Sequence, residues 1–315
     1  MWGGTRIPAP AGAVTRPWGE HPVTRIYLHI GLPKTGTTYW QHLVFRRMQG
    51  ITFFHRVSGE ATAREITRIL RALHHEDHGT KPAGDGGWRG RIARLLGRAR
   101  PEPPRPGLRQ GFDALFGVQP EGEDRLLSCE NISLTSDGFW NGRAATPAQV
   151  AGQLAAMDRY WGGGRVRIIL TTRKPDSWFA ARYAESSKDF ASFCNHDFAQ
   201  RAEALLSDEL KPWQRWIDTD HVMRVFEEAF GPSNVFVMPL ERLAEHPVAS
   251  ILEMGRFVGG RDLGYVVEAL EREGRLDGRS NSLRAGDGGW RLRSTGEVIS
   301  YPPGLDARLR QRFGG

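Results

Sequence analysis

The chain has 315 residues, of which 39% are hydrophobic, 10% aromatic and 25% charged, a globular composition that excludes a disordered, collagenous or fibrous protein. Two cysteines, Cys129 and Cys194, exclude a disulfide scaffold and a four-cysteine zinc site, and no metal is expected. A net charge of +7 and a pI of about 9.8 favour anionic partners, while the lack of zinc-finger spacing or an RNP motif argues against nucleic acid.

No apolar run reaches the roughly 18 residues needed to cross a bilayer. The opening stretch MWGGTRIPAPAGAVTRPWGE has no continuous apolar core of the signal-peptide kind, so a cytoplasmic location is the expectation. Residues 1–22 read as a flexible lead-in and residues 23–315 as a single α/β domain with a Gly/Pro/Arg-rich insertion at about 76–122.

Residues 24–30, TRIYLHI, read as a strand, with Ile26, Leu28 and Ile30 on one face and Tyr27 and His29 on the other. Gly31-Leu32-Pro33 ends it. A helix then runs from Thr35 or Thr37 to about Met48, packing through Tyr39, Trp40, Leu43, Val44 and Met48. Ile51–Phe54 suits a short strand and 62–74 a helix. Between 76 and 122 only Arg91–Leu96 suggests a short helix, and the rest reads as connection. RLLSC at 125–129 is a strand, 147–160 a helix, RVRIILTT at 165–172 a strong strand, and a helix continues to about Phe190. Residues 198–230 read as helical, NVFVM at 234–238 as a strand, and 241–245 and 247–258 as helices; little periodicity follows 275. Strands alternating with helices predict an α/β three-layer sandwich around a mainly parallel sheet, with a phosphate-binding loop after the first strand.

That loop is the strongest chemical signal. Gly31-Leu32-Pro33-Lys34-Thr35-Gly36-Thr37-Thr38 follows a strand and opens a helix. Two glycines admit close backbone approach, the first helical N–H groups face an anion, three threonines add hydroxyls and Lys34 adds a charge. Lysines are scarce here, only Lys34, Lys81, Lys174, Lys188 and Lys211, so one inside a glycine turn is notable. The usual ATPase and GTPase loop places Lys after its second Gly; here Lys34 precedes Gly36.

Pro33-Lys34-Thr35-Gly36-Thr37-Thr38 resembles the Pro-Lys-Ser/Thr-Gly-Thr-Ser/Thr motif of the sulfotransferases that use 3′-phosphoadenosine 5′-phosphosulfate (PAPS). IILTTRKP at 168–175 resembles the family's second strand, whose Arg, here Arg173, holds the donor's 3′-phosphate. The Ser expected eight residues on is Ala181, with Ser177, Ser186 and Ser187 as possible substitutes. LLSCE at 126–130, VFVMPLERL at 235–243 and Arg284 with Gly286–Trp290 are weaker echoes. The resemblance implies PAPS as sulfuryl donor, bound by Gly31, Pro33, Lys34, Thr35, Gly36, Thr37, Thr38 and Arg173. It implies a small-molecule or glycan acceptor whose hydroxyl or amine is sulfated by in-line displacement. Lys34 would stabilise the leaving phosphate, and Glu130 or His55 would take the acceptor's proton. A kinase or NTPase with an atypical loop, or a non-catalytic anion or glycan binder, stays open on the same residues. The acidic and histidine run at 74–78 does not converge on a helix and reads as a solvated end. Trp88, Trp140, Trp161 and Trp178 read as core rather than stacking residues.

Overall fold

The computed structural model describes residues 24–56, 58–74, 102–118, 122–135, 137–190, 192–207, 209–276 and 289–314. The lead-in, Arg91–Leu96, Trp88, the whole of the 74–78 run after His74, and Arg284–Gly288 lie outside the described residues.

Five strands build the main sheet: β1 (Ile26–His29), β2 (Ile51–His55), β3 (Asp124–Ser128), β4 (Val166–Thr172) and β5 (Val235–Pro239). They lie in the order β2-β3-β1-β4-β5, every pair parallel. Strands buried on both faces carry near-continuous apolar runs, and β1 shows why: Ile26, Leu28 and Ile30 enter one apolar cluster while Tyr27 enters the other. Both faces are covered by helices, which makes the α/β three-layer sandwich. After β1 the chain builds β2 and β3 on one side and β4 and β5 on the other, so the order reverses at β1. In open parallel sheets, ligands bind beyond the carboxyl ends of the strands at such a reversal.

The first helical segment departs from a regular helix. α1 (Thr37–Tyr39) is a single turn that widens into a π-helical turn at Trp40–Val44 and tightens at Phe45–Arg47. Trp40, Gln41, Leu43 and Val44 are all buried there. A straight α-helix points neighbouring residues about 100° apart, and the wider turn brings more of them onto one side. Tyr39, Trp40, Leu43, Val44 and Met48 all pack in the core.

α2 (Glu60–His74) and α3 (Pro106–Phe116) pack together through Ile66, Ile69 and Leu73 against Leu108, Phe112 and Phe116. α3 lies in a span whose Pro and Gly content suggested a loop. Pro106 occupies the first turn, where its missing N–H costs nothing. Gly111 is required by proximity: a Cβ there would come 2.6 Å from Ile69. α4 (Gly138–Asn141) and α5 (Pro147–Tyr160) precede β4, and α6 (Pro175–Ser186) follows it. The stretch 198–230 is divided rather than continuous. α7 (Asn195–Ser207) gives way to a tight turn at Pro212–Ile217, and α8 (Thr219–Phe230) restarts with the Asp218 side chain accepting from the His221 N–H. α9 (Leu240–Glu245), α10 (Pro247–Phe257) and α11 (Gly264–Arg272) follow β5. The C-terminal part holds a small antiparallel pair, β6 (Trp290–Arg291) with β7 (Val298–Ile299), and α12 (Leu305–Phe313), which docks Leu305, Leu309 and Phe313 into the core. Among the described residues no helix is long and apolar enough to cross a membrane.

Candidate active site

The loop between β1 and α1 sits at the carboxyl edge of the sheet, flanked by the ends of β3 and β4. The Leu32 N–H donates to the Thr171 carbonyl at 2.9 Å, so β4 holds the loop's first half. Three residues turn the backbone into the left-handed region: Gly31 (φ +52°), Lys34 (φ +70°) and Gly36 (φ +80°). At Gly31 a Cβ would stand 2.7 Å from Thr37 Cγ2, and at Gly36 2.7 Å from Leu240 Cδ1. Lys34 is the one non-glycine with positive φ among the described residues, a conformation that costs about 1–2 kcal/mol. Such strain persists where the surroundings over-determine it, and it clusters at functional sites.

The surroundings are specific. The Trp178 indole N–H donates to the Pro33 carbonyl at 2.9 Å, and Arg173 Nη1 donates to the Lys34 carbonyl at 3.1 Å. Thr35 Oγ1 donates to the Leu32 carbonyl and lies 2.7 Å from Thr171 Oγ1. Thr37 donates to Glu130 Oε2. Thr38 is exposed. Trp178 is thus a buried brace, in contact with Phe139, and Trp140 and Trp161 also sit in aromatic clusters.

Lys34 Nζ lies 2.9 Å from Glu185 Oε2. Glu185 also meets Arg293 at 2.6 Å and Lys188 at 3.0 Å. Burial pushes the Glu185 carboxyl up, but the hydrogen bonds from Lys34 and Lys188 outweigh it and hold the group below its ordinary range. Arg182 is fully buried nearby and donates to the Thr135 carbonyl at 3.0 Å. Burial lowers its guanidinium to about 10, against the opposing pull of Glu130 and Glu185, so it stays charged at neutral pH. Arg173 Nε donates to Ser177 Oγ at 2.8 Å, and its guanidinium lies 4.7 Å from the Trp290 ring centre. The hydroxyl beside Arg173 is therefore Ser177, one turn before Ala181, which is buried. Ser186 and Ser187 are buried in the fold.

Glu130 opens the turn Glu130–Ile132 directly after β3 and touches the loop through Thr37. Its neighbour Cys129 is buried, which pushes its thiol up to about 12 and leaves it inert as a nucleophile. His55 ends β2, at the edge of the sheet, and reaches the loop only through other side chains. His55 Nε2 lies 3.0 Å from Gln41 Oε1, and Gln41 Nε2 donates to Ser128 Oγ at 3.0 Å. Ser128 Oγ lies 2.6 Å from His29 Nδ1, and His29 Nε2 lies 3.3 Å from Thr171 Oγ1, the partner of Thr35. A buried polar chain therefore runs under the sheet's edge from His55 to the loop. His29 in its middle is fully buried, and desolvation first, then His55, lowers it to about 3. Burial, then His42 and Arg46, also lowers His55.

The structure brings together Gly31–Thr38, Arg173 and Glu130, and leaves His55 one hydrogen-bonded chain away. Ser177, one of the three substitutes offered for the missing Ser, lies beside Arg173, while Glu185, Trp178 and Gln41 join the site without having been singled out for it. Glu185 had a legible signal: with Ser177 and Ala181 it forms a row at four-residue spacing on α6, one face of a helix. His74 is a further surprise. It is buried at the end of α2, with Nε2 2.9 Å from the Asn131 carbonyl while Nδ1 accepts from the Ala145 N–H, so Nε2 carries the proton and the ring ties α2 to the Glu130 turn.

No protein-family model matches the chain, and no curated protein matches it in sequence. Among solved structures it is similar to a sulfotransferase from Alicyclobacillus acidocaldarius, at 15% identity and a TM-score of 0.41, over 81% of this chain and 96% of that one. It is also similar to sulfotransferase STF9 from Mycobacterium avium, at 14% identity and a TM-score of 0.46, over 92% of this chain and 76% of that one. Scores of this size assign no role to any residue, so the chemistry of the site rests on Lys34, Glu130, Arg173 and the loop that joins them.

Proposed function

We propose that the chain is a sulfotransferase that moves a sulfuryl group from PAPS to an acceptor hydroxyl or amine, small molecule or glycan. The observation that carries this reading is the strained Lys34 turn, fixed between Arg173 and Glu130 at the sheet reversal. The residues fit an anionic donor: a Cβ at Gly31 would clash with Thr37 and one at Gly36 with Leu240, Arg173 reaches the Lys34 carbonyl, and the Lys34, Lys188 and Arg293 cations gather around the single carboxylate of Glu185. The bound donor would supply the sulfuryl group and a phosphate leaving group. Gly31, Pro33, Thr35, Gly36, Thr37 and Thr38 would hold its phosphosulfate end, with Arg173 and Ser177 toward its other phosphate.

Sulfuryl transfer, like phosphoryl transfer, depends on positioning and on charge placed where charge develops. Lys34 would carry the charge facing the leaving oxygen. Glu130 is favoured over His55 as the group that takes the acceptor's proton, because Glu130 contacts the loop and His55 faces Gln41. Thr37, bonded to Glu130, fixes that carboxylate relative to the cradle.

Calorimetry tests the donor. Adenosine 3′,5′-bisphosphate should bind and raise the Tm, and ATP with magnesium should do much less; equal effects would point to a kinase or NTPase. Lys34→Ala should lower turnover by about 10²–10³. A variant that loses only affinity, with its rate intact, would reduce Lys34 to an anchor.

A further inference from the structure

Beside α2 and α3 lies a groove of about 600 Å³, lined by Arg64, Thr67, Arg68 and Arg71 of α2 and by the first turns of α3 with Gln110. The packing explains it. Ile66, Ile69 and Leu73 turn into the core, and the close approach at Gly111 brings the two helices together. Arg64, Arg68 and Arg71 then form an adjacent exposed row at i, i+4 and i+7, a stripe of about 10 Å with a charge every 5–6 Å. One carboxylate offsets it: Glu65 lies 3.1 Å from Arg68 and 3.7 Å from Arg64. Arg71 makes no ion pair among the described residues. Among the described residues, two positive charges therefore go uncompensated in a concave surface of ligand size.

We propose that this groove binds an acidic oligosaccharide, a linear sugar chain bearing carboxylate or sulfate groups, as the acceptor of the transfer proposed above. Charge complementarity selects a polyanion. Among the described residues no aromatic ring lines the groove, whereas single-stranded nucleic acid is held largely by base stacking on aromatic side chains. Thr67 and Gln110 instead offer the hydroxyl and amide groups that pair with sugar hydroxyls. Position ties the groove to the reacting centre. Arg71 is one turn from His74, and His74 bonds the backbone of Asn131, the residue after Glu130. A chain laid along the arginine row is thereby led to the turn that carries Glu130. The inference rests on the sulfotransferase reading for the word acceptor, but the binding it describes stands or falls separately.

The test is calorimetry with tetragalacturonate, an acidic tetrasaccharide, and with neutral maltotetraose. The wild type should bind the first, more weakly as salt rises from 50 to 200 mM, and not the second. The variant Arg64→Gln/Arg68→Gln/Arg71→Gln should bind about tenfold or more weakly while keeping its Tm and its affinity for adenosine 3′,5′-bisphosphate. A charge-matched control, Arg256→Gln/Arg272→Gln/Arg275→Gln, should bind like wild type. The groove is refuted if the two triple variants behave alike, if maltotetraose binds equally well, or if an eight-residue oligothymidine binds more tightly than the uronate. Loss of nucleotide binding with uronate binding intact would overturn the donor reading and leave the groove standing.

Discussion

His29 makes a quantitative forecast. Its ring is fully buried between Ser128 and Thr171 and titrates at about 3, against about 6.5 in an unfolded chain. The native state therefore excludes a proton that the unfolded chain takes up once the pH falls below about 6.5. Sign and window follow from linkage: stability is unaffected above pH 6.5, drops by about 1.4 kcal/mol per pH unit below it, and levels off near pH 3. The loss is about 2 kcal/mol at pH 5 and approaches about 5 kcal/mol at pH 3. His29→Gln keeps a polar head that can donate and accept but does not titrate. Urea midpoints measured from pH 7.5 to pH 4 should give a wild-type curve steeper than the variant's by that slope, whatever the offset between them at neutral pH. Acidic groups and other histidines titrate in both proteins and cancel in the difference. Parallel curves would show that the buried histidine is accommodated as a cation, and the polar chain from His55 to the loop would need a different protonation pattern.

Two further outcomes concern the loop. Glu185 competes for Lys34 with any incoming anion, since its carboxylate lies 2.9 Å from Nζ; in a partly solvated site removing that charge is worth about 1 kcal/mol, so Glu185→Gln should bind adenosine 3′,5′-bisphosphate about fivefold more tightly by calorimetry. Unchanged or weaker binding would show that Glu185 positions Lys34 more than it opposes the ligand. Gly36→Ala should cost about 1–2 kcal/mol in the urea midpoint, because φ is +80° and Leu240 Cδ1 lies 2.7 Å from the new methyl; full stability would mean the turn relaxes easily and the strain at Lys34 is not enforced.

The sheet was legible because its central strands, β1 and β4, are buried on both faces. TRIYLHI, RLLSC, RVRIILTT and NVFVM are apolar runs between breakers, and each forms a strand of the main sheet. The strained turn after β1 was legible for its own reason: Gly, Lys and Thr at that spacing have little use in an ordinary turn. α3 was obscured by its own composition, since Pro106, Gly107 and Gly111 lower helix propensity while Leu108, Phe112 and Phe116 anchor it by tertiary contact. Pro212 divides what a periodicity count joins between 198 and 230. The site's supporting residues were hidden more deeply. Trp178 reads as core by type, His74 reads as part of a solvated helix end, and no local pattern marks Gln41; their hydrogen bonds cross 145, 87 and 57 positions of sequence, distances that local pattern does not register.

The braces on the Lys34 turn share one origin. Arg173 stands just before α6, and Trp178 and Glu185 lie on it, while the arginine row and the His74 tether belong to α2 on the opposite flank of β1. On the proposed reading, holding the donor and recognising the acceptor thus fall to separate structural modules that meet at the first strand. Substitutions along the outward row of α2 can retune what is recognised without loosening the turn, and the same scaffold is open to retargeting one flank at a time.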